Sequence, residues 1–318
     1  MLGLWRHSGE LVVETAGTVV SSTVAVTGLP VRCCPSIMPT LEQNLILIGA
    51  SALAGAINSV AGGGTILTFP ALLAIGQTAS IANATSKVAI WPGQLSSLWG
   101  LRSELRQNTR SILPLLLIGI AGGIAGAQLL VYTPPKYFDK LAPYLMLAAT
   151  VLFMVQEPIT RWQKKRAEEA AKAEATEETT PAVTPAETTP EADSEEPSLH
   201  LTVPIGLFLF IVSLYGGYFG AGIGILTLAA FGMLGLSNIH QMNGIKAAFT
   251  LGINGVSAIL LMLKGMVDLP IAGMMAIGSL VGGYAGAGIA RRIGQANVRR
   301  TIIVIGILIT VAMLLEQR

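Results

Sequence analysis

The sequence predicts an all-α, polytopic integral membrane protein of two inverted repeats, about five membrane segments in each, with a broken or short helix in each half. Composition, segment length and internal duplication each point there. Of 318 residues, 52% are hydrophobic and 12% charged, with 36 glycines and a mean hydropathy of +0.64. Such a chain needs lipid as the solvent for most of its length. Ten of the 18 acidic residues fall between Glu168 and Glu196, so the apolar body carries little charge away from its loops. The net charge of +2 says nothing of a nucleic-acid partner, and none is expected.

Residues 1–40 read as an N-terminal extension expected to be poorly ordered. Arg6 is basic, but Glu10 and Glu14 interrupt the apolar run that a signal peptide needs. Met38, just before the first strongly apolar segment, reads as a candidate alternative translation start, with Met1 left open. Cys33 and Cys34 are adjacent, and neighbours rarely reach disulfide geometry. With His7, His200 and His240 they show no metal-ligand spacing, so neither metal nor cofactor is expected.

The first repeat, 41–160, carries apolar segments at Leu45 to Ala61, Ile81 to Leu101, Ile112 to Val131 and Leu141 to Val155, with a shorter one from Thr65 to Gly76. The second, 200–318, has Val203 to Gly220, Ile223 to Gly235, Met242 to Leu263, Leu269 to Ile289 and Thr301 to Leu315. A full span needs roughly 20 residues, so Thr65 to Gly76 and Ile223 to Gly235 read as half-helices or strongly tilted elements, beside glycine-rich breaks. Between the repeats, 161–199 opens with Arg161, Lys164, Lys165 and Arg166 and continues as Ala, Glu, Thr and Pro. That composition cannot bury a core, and a charged, disordered cytoplasmic linker is expected, with transient helix through Ala175.

The duplication is the most informative feature. GTILTFPALLAIG (Gly64 to Gly76) matches IGILTLAAFGMLG (Ile223 to Gly235) without a gap at an offset of 235 − 76 = 159. The same offset pairs Lys87 with Lys246, and further along, with one residue inserted, GGIAGA (Gly122 to Ala127) matches GGYAGA (Gly282 to Ala287). Loop charge then orients the halves. Arg102, Arg106 and Arg110 in the first half, and Arg291, Arg292, Arg299 and Arg300 in the second, share the cytoplasmic side with the start of the linker only if each half crosses an odd number of times.

Inverted-repeat carriers bind substrate near the midplane, where broken helices expose backbone N–H groups and dipole ends. The breaks here are NSVAGGGT (Asn58 to Thr65) and YGGYFGAGIG (Tyr215 to Gly224). A helix starting after each would aim its N–H groups at an anion. Gly122, Gly123, Gly126, Gly282, Gly283 and Gly286 instead lie within full-length segments, at spacing suited to close helix packing. Lys87 and Lys246 are ionisable groups inside membrane segments without an intramembrane carboxylate to pair with. Either they face one another across a pseudo-twofold axis around one anion, or each snorkels to an interface. Asn83, Thr85, Ser86, Asn243 and Asn254 share their helices and offer hydrogen bonds.

The motifs NSVAGGGTILTFPALLAIG, ANATSKVAIWPGQLSS, GGYFGAGIGILTL and MNGIKAAFTLGING resemble the sulfite exporter TauE/SafE family over most of the chain from Leu41 to Leu315, linker excluded. The resemblance implies a multi-pass permease of a prokaryotic cell membrane that handles sulfite, sulfoacetate or other small organosulfonate or organic anions, with export as the direction. Matching motifs place the substrate-binding set at Gly62, Gly63, Gly64, Thr65, Asn83, Thr85, Ser86, Lys87, Gly220, Gly222, Gly224, Asn243 and Lys246, with Pro70 in the short segment. The extension before Met38 and the long acidic linker depart from the family pattern. The partners expected are a small anion and the bilayer, and a homo-oligomer is left open. No nucleophile with a base, Walker motif or dinucleotide fingerprint is visible, so the chain does not read as an enzyme. Two other readings stay open: an uncoupled anion channel or facilitator, and a membrane sensor or scaffold acting through the linker.

Overall fold

The computed structural model describes residues 3–7, 10–14, 39–60, 63–100, 109–177, 203–234, 239–293 and 295–316. The described residues begin with a short antiparallel hairpin, β1 (Gly3–His7) and β2 (Glu10–Glu14), in which Trp5 pairs with Val12. The first repeat follows as α1 (Leu41–Val60), α2 (Thr65–Ala74), α3 (Ala79–Gly100), α4 (Thr109–Tyr132) and α5 (Pro135–Glu177). The second comprises α6 (Val203–Tyr218), α7 (Ile223–Met233), α8 (Ile239–Leu263), α9 (Leu269–Ile293) and α10 (Gln295–Glu316). Each helix of the second repeat is the counterpart of the helix five places earlier.

Local chemistry sets the boundaries. Thr40 and Gln43 form a reciprocal capping box at α1: the Thr40 N–H donates to Gln43 Oε1 at 2.9 Å and the Gln43 N–H to Thr40 Oγ1 at 3.4 Å. Pro135 opens α5, where a missing N–H costs nothing. Glycines in the left-handed region follow α2 and α8, at Gly76 (φ 90°) and Gly265 (φ 68°). They allow the Gln77 and Met266 N–H groups to turn back onto Leu72 and Leu261 carbonyls. At about 1.5 Å per residue, the 43 residues of α5 are far longer than a bilayer core. The helix therefore carries its ordered structure through the basic cluster into the first part of the linker.

Leu113–Tyr132, Pro135–Gln156 and Met242–Leu263 are long and apolar enough to cross a membrane, and shorter apolar stretches run through α2, α6, α7, α9 and α10. Leu45, Leu117, Leu147, Ile211, Ile277 and Leu308 point outward, as lipid-facing positions should.

The repeats interlock. The most extensive packing joins α1 of the first repeat to α9 of the second, and its symmetry mate joins α6 to α4. Glycine makes both possible: Gly282 and Gly55 lie against the backbone of Ala52 and Ser279, and Gly126 and Gly217 against Leu214 and Gly123, with no room for a Cβ. Gly122, Gly123 and Gly283 are likewise packing residues. The next strongest pairs, α3 with α9 and α4 with α8, again exchange the repeats, whereas α3 with α8 and α5 with α10 pair each helix with its own counterpart.

The register of these contacts gives the helix directions. Thr85 meets Asp268, Ala89 meets Ser279 and Ser96 meets Gly283, so α3 and α9 run parallel. The α1 contacts climb with α9 in the same way, from Ser51 with Gly278 to Gly55 with Gly283, and those of α6 climb with α4 from Gly206 with Ile118 to Gly217 with Gly123. Trp91 on α3 donates to the Leu251 carbonyl of α8. Were α8 parallel to α3, that contact would set Leu263 about 27 Å along the axis from Thr85. Asp268, which touches Thr85, is five residues beyond Leu263, a reach of about 17 Å at full extension. The helices α3 and α8 are therefore antiparallel, and counterpart helices cross in opposite senses. The repeats are inverted.

Candidate functional site

Two short helices turn back beside the pseudo-twofold axis. Gly64, at the start of α2, lies against Ala54 in the middle of α1, where an added Cβ would stand 2.7 Å from the Ala54 carbonyl oxygen. On the other side α6 ends at Tyr218, and Gly220 (φ 89°) and Gly222 (φ 77°) reverse the chain into α7. The Tyr215 hydroxyl spans this second break, donating to the Ala221 carbonyl at 2.7 Å. Both breaks converge on α5: Gly63 abuts the ring of Phe153, and Gly222 faces Leu152 and Ala149. Phe69 of α2 meets Phe219 of the second break edge to face at 5.4 Å.

The helix end exposed by the second break is held by the other repeat. Asn83 Nδ2 donates to the Tyr218 carbonyl at 2.8 Å, and Lys87 Nζ donates to the carbonyls of Gly216, at 2.9 Å, and Gly217. These are carbonyls that the end of α6 cannot satisfy itself, and a cation belongs at that negative pole. Lys87 is 3% exposed, so it does not snorkel. One helical position away, Ser86 shares a 2.5 Å hydrogen bond with Thr68 of α2. Gly220 lies close to both Lys87 and Asn254, and the latter donates to Gln94.

Lys246 behaves differently. It is half-buried and donates to Asn243 Oδ1, one turn back on its own helix, at 3.0 Å. The antiparallel helices meet where Trp91 reaches Leu251 and Asn254 reaches Gln94, which sets the two lysines on opposite sides of the crossing and about 18 Å apart along the axis. They do not share one anion between them.

The structure thus gathers Gly63, Gly64, Asn83, Ser86, Lys87, Gly220 and Gly222 around the two breaks. Thr65 is buried at the first position of α2, and Gly224 is buried in the first turn of α7. Pro70 is half-buried within α2. Gly62 lies outside the described residues, as does the side chain of His240. Thr85 faces away from the breaks and accepts from the Asp268 N–H at 3.1 Å.

Thr68, Tyr215, Gln77 and Asp268 did not come from sequence reasoning. Asp268 is 5% exposed, in the turn before α9, where its Oδ1 caps Ile271 at 3.3 Å and its Oδ2 accepts from Gln77 Nε2 at 3.2 Å. Burial raises this carboxyl above its ordinary range, while the Ile271 N–H and the Gln77 amide pull it the other way. A buried carboxylate is therefore present, just outside the apolar run that defined the segment. Its signature was the Asp-Leu-Pro start of a helix.

The family model for the sulfite exporter TauE/SafE matches residues 47–313. The chain belongs to the sulfite exporter TauE/SafE family. As a TauE/SafE protein it is a membrane transporter of the permease type, and the matched region takes in both repeats. It is 27% identical over 278 residues to a "Probable membrane transporter protein" of Haemophilus influenzae, covering 86% of this chain and 94% of that one. It is 22% identical over 274 residues to "Probable membrane transporter protein YfcA" of Escherichia coli K12, covering 86% and 90%. "Probable membrane transporter protein ORF9" of a Sinorhizobium species is 22% identical over 277 residues, covering 85% and 92%. No solved structure matches this TauE/SafE chain.

Proposed function

We propose that this transporter is a secondary permease for small oxyanions of the sulfite, sulfoacetate or organosulfonate type, and that it exports them across the cytoplasmic membrane of a prokaryote. The observation that carries the reading is the buried ammonium of Lys87, held between the repeats by the orphan carbonyls at the end of α6. An ammonium so placed has backbone dipoles for neighbours, which an entering anion can replace with a full negative charge. The second break turns back beside it, with Gly220 close to Lys87, and N–H groups at the starts of α2 and α7 would complete the cradle. Gly63, Gly64, Thr65, Asn83, Ser86, Gly220, Gly222 and Gly224 would line the site; Thr85 would support it from behind. Lys246 and Asn243 would form a second polar station on the far side of the crossing, about 18 Å away.

The inverted topology leaves one pole of the molecule holding the ends of α3, α5 and α9, the other the start of α1 and the end of α10. The Arg-rich loops and the basic start of the linker belong to the first pole, which is the cytoplasmic side of a multi-pass protein. Both termini of the transmembrane body then face outward. Flux of sulfite and small sulfonates in proteoliposomes, compared between the intact protein and Lys87→Met, tests the reading. Saturable flux that the substitution abolishes supports it, and the absence of flux with every one of these anions sinks it.

A further inference from the structure

We propose that Asp268 is the proton-binding group that couples this transport to a proton gradient. The inference rests on the anion-permease reading and adds the coupling ion, which neither the site nor the family supplies.

Neutral donors surround the Asp268 carboxylate. Gln77, in the turn after α2, donates to Oδ2; the Ile271 N–H of α9 donates to Oδ1; and Thr85 of α3 accepts from the Asp268 N–H. The neighbouring turn residue Lys264 is exposed. Among the described residues no cation stands against the carboxylate. A charge held there by neutral donors alone is the kind that takes up a proton when conditions change.

Gln77 suits either state. Its Nε2 holds the ionised carboxylate, while its Oε1 is buried without a partner. Rotation of the amide by half a turn would present Oε1 to the O–H of the protonated acid. One proton taken from solution as a carboxyl O–H, and later returned, balances the step with no other reactant.

The position connects this proton to the anion site along two routes. Gln77 closes the end of α2, with its N–H on the Leu72 carbonyl, and the start of α2 forms the first break. Thr85, which holds the backbone of Asp268, is adjacent to Ser86 and two residues from Lys87. Neutralising Asp268 also weakens the negative cap on α9, the helix that packs along both α1 and α3. Occupancy of the two sites must then be linked, and the linkage is reciprocal.

The experiment uses the full chain in proteoliposomes with sulfite, read as equilibrium exchange without gradients and as net flux driven by a pH difference. Asp268→Asn keeps a capping side chain and removes the titration. It should retain exchange within a few-fold and lose its response to the pH difference. Gln77→Ala removes a donor that favours the ionised form, so it should move the pH midpoint of net flux upward. Net flux in Asp268→Asn that still follows the pH gradient overturns the proposal, as does wild-type flux indifferent to that gradient. If Asp268→Asn abolishes exchange as well, the unshifted midpoint of Gln77→Ala overturns it and a shifted one upholds it. Failure of wild-type exchange would instead overturn the anion-permease reading itself.

Discussion

The two glycine breaks occupy equivalent positions, yet they need glycine for different reasons. Gly63 and Gly222 align at the repeat offset of 222 − 63 = 159. At Gly222 the backbone itself is left-handed, φ 77°, and an added Cβ would find Leu152 at an ordinary 3.4 Å. At Gly63 the obstacle is instead the ring of Phe153, which is fully buried. The paired lysines differ too: Lys87 reaches across to the other repeat, and Lys246 stays on its own helix. Duplication thus preserved the positions of the parts, while packing around α5, which runs past both breaks, gave them separate physical duties.

Replacing Lys87 should produce the largest effect. In Lys87→Met the Gly216 and Gly217 carbonyls lose their donor inside the protein, a penalty of about 1–3 kcal/mol per group, offset by relief of the desolvated charge. We expect anion flux to drop on the order of a hundredfold, equivalent to about 3 kcal/mol of lost binding, and the detergent-purified protein to unfold at a lower temperature. A variant of raised melting temperature and normal flux would show that the ammonium is a structural burden rather than an anion ligand.

The steric break comes next. Gly63→Ala forces the Phe153 ring to move within a packed core, at a cost of about 1–3 kcal/mol. Because the obstacle is one side chain, Phe153→Leu in the same molecule should recover part of the loss. A double-mutant cycle on melting temperature would show coupling of about 1 kcal/mol; strictly additive effects would contradict the assigned contact.

At the conformational break the expected cost is smaller and cannot be repaired from outside. Gly222→Ala places a Cβ in the left-handed region, worth about 1–2 kcal/mol. Gly222→Asn should cost less, since asparagine tolerates that region, and Phe153→Leu should rescue neither. Equal losses in the alanine and asparagine variants would point to crowding instead of backbone strain.

Much of this architecture was legible in the sequence because lipid imposes simple rules. Apolar length marked α3, α4 and α8, glycine marked the breaks at Gly63 and Gly222, and the offset that joins Lys87 to Lys246 marked the repeats. Loop arginines pointed to inversion, which the register of α3 against α8 bears out. The interlocking of α1 with α9 and α4 with α6 was not legible, because glycine stripes say that a helix is approached closely but not by which partner. The hold of Lys87 on α6 was hidden for a related reason: backbone carbonyls have no residue signature. Asp268 escaped notice because its charge sits one residue before an apolar run, where a loop carboxylate normally meets water.

The smallest structural effect should come from Lys246, and it separates the two halves most cleanly. It donates to Asn243, three residues back on α8, and is only half-buried. Removing a same-helix contact at such a site should change stability by no more than about 0.5 kcal/mol, so Lys246→Met should melt close to the parent. If this lysine forms the second station of the anion path, flux in the variant should nevertheless fall, with the remaining transport still sensitive to Lys87. If flux and melting temperature both match the parent, the path has one cationic station, and the second repeat contributes its broken helix end rather than its lysine.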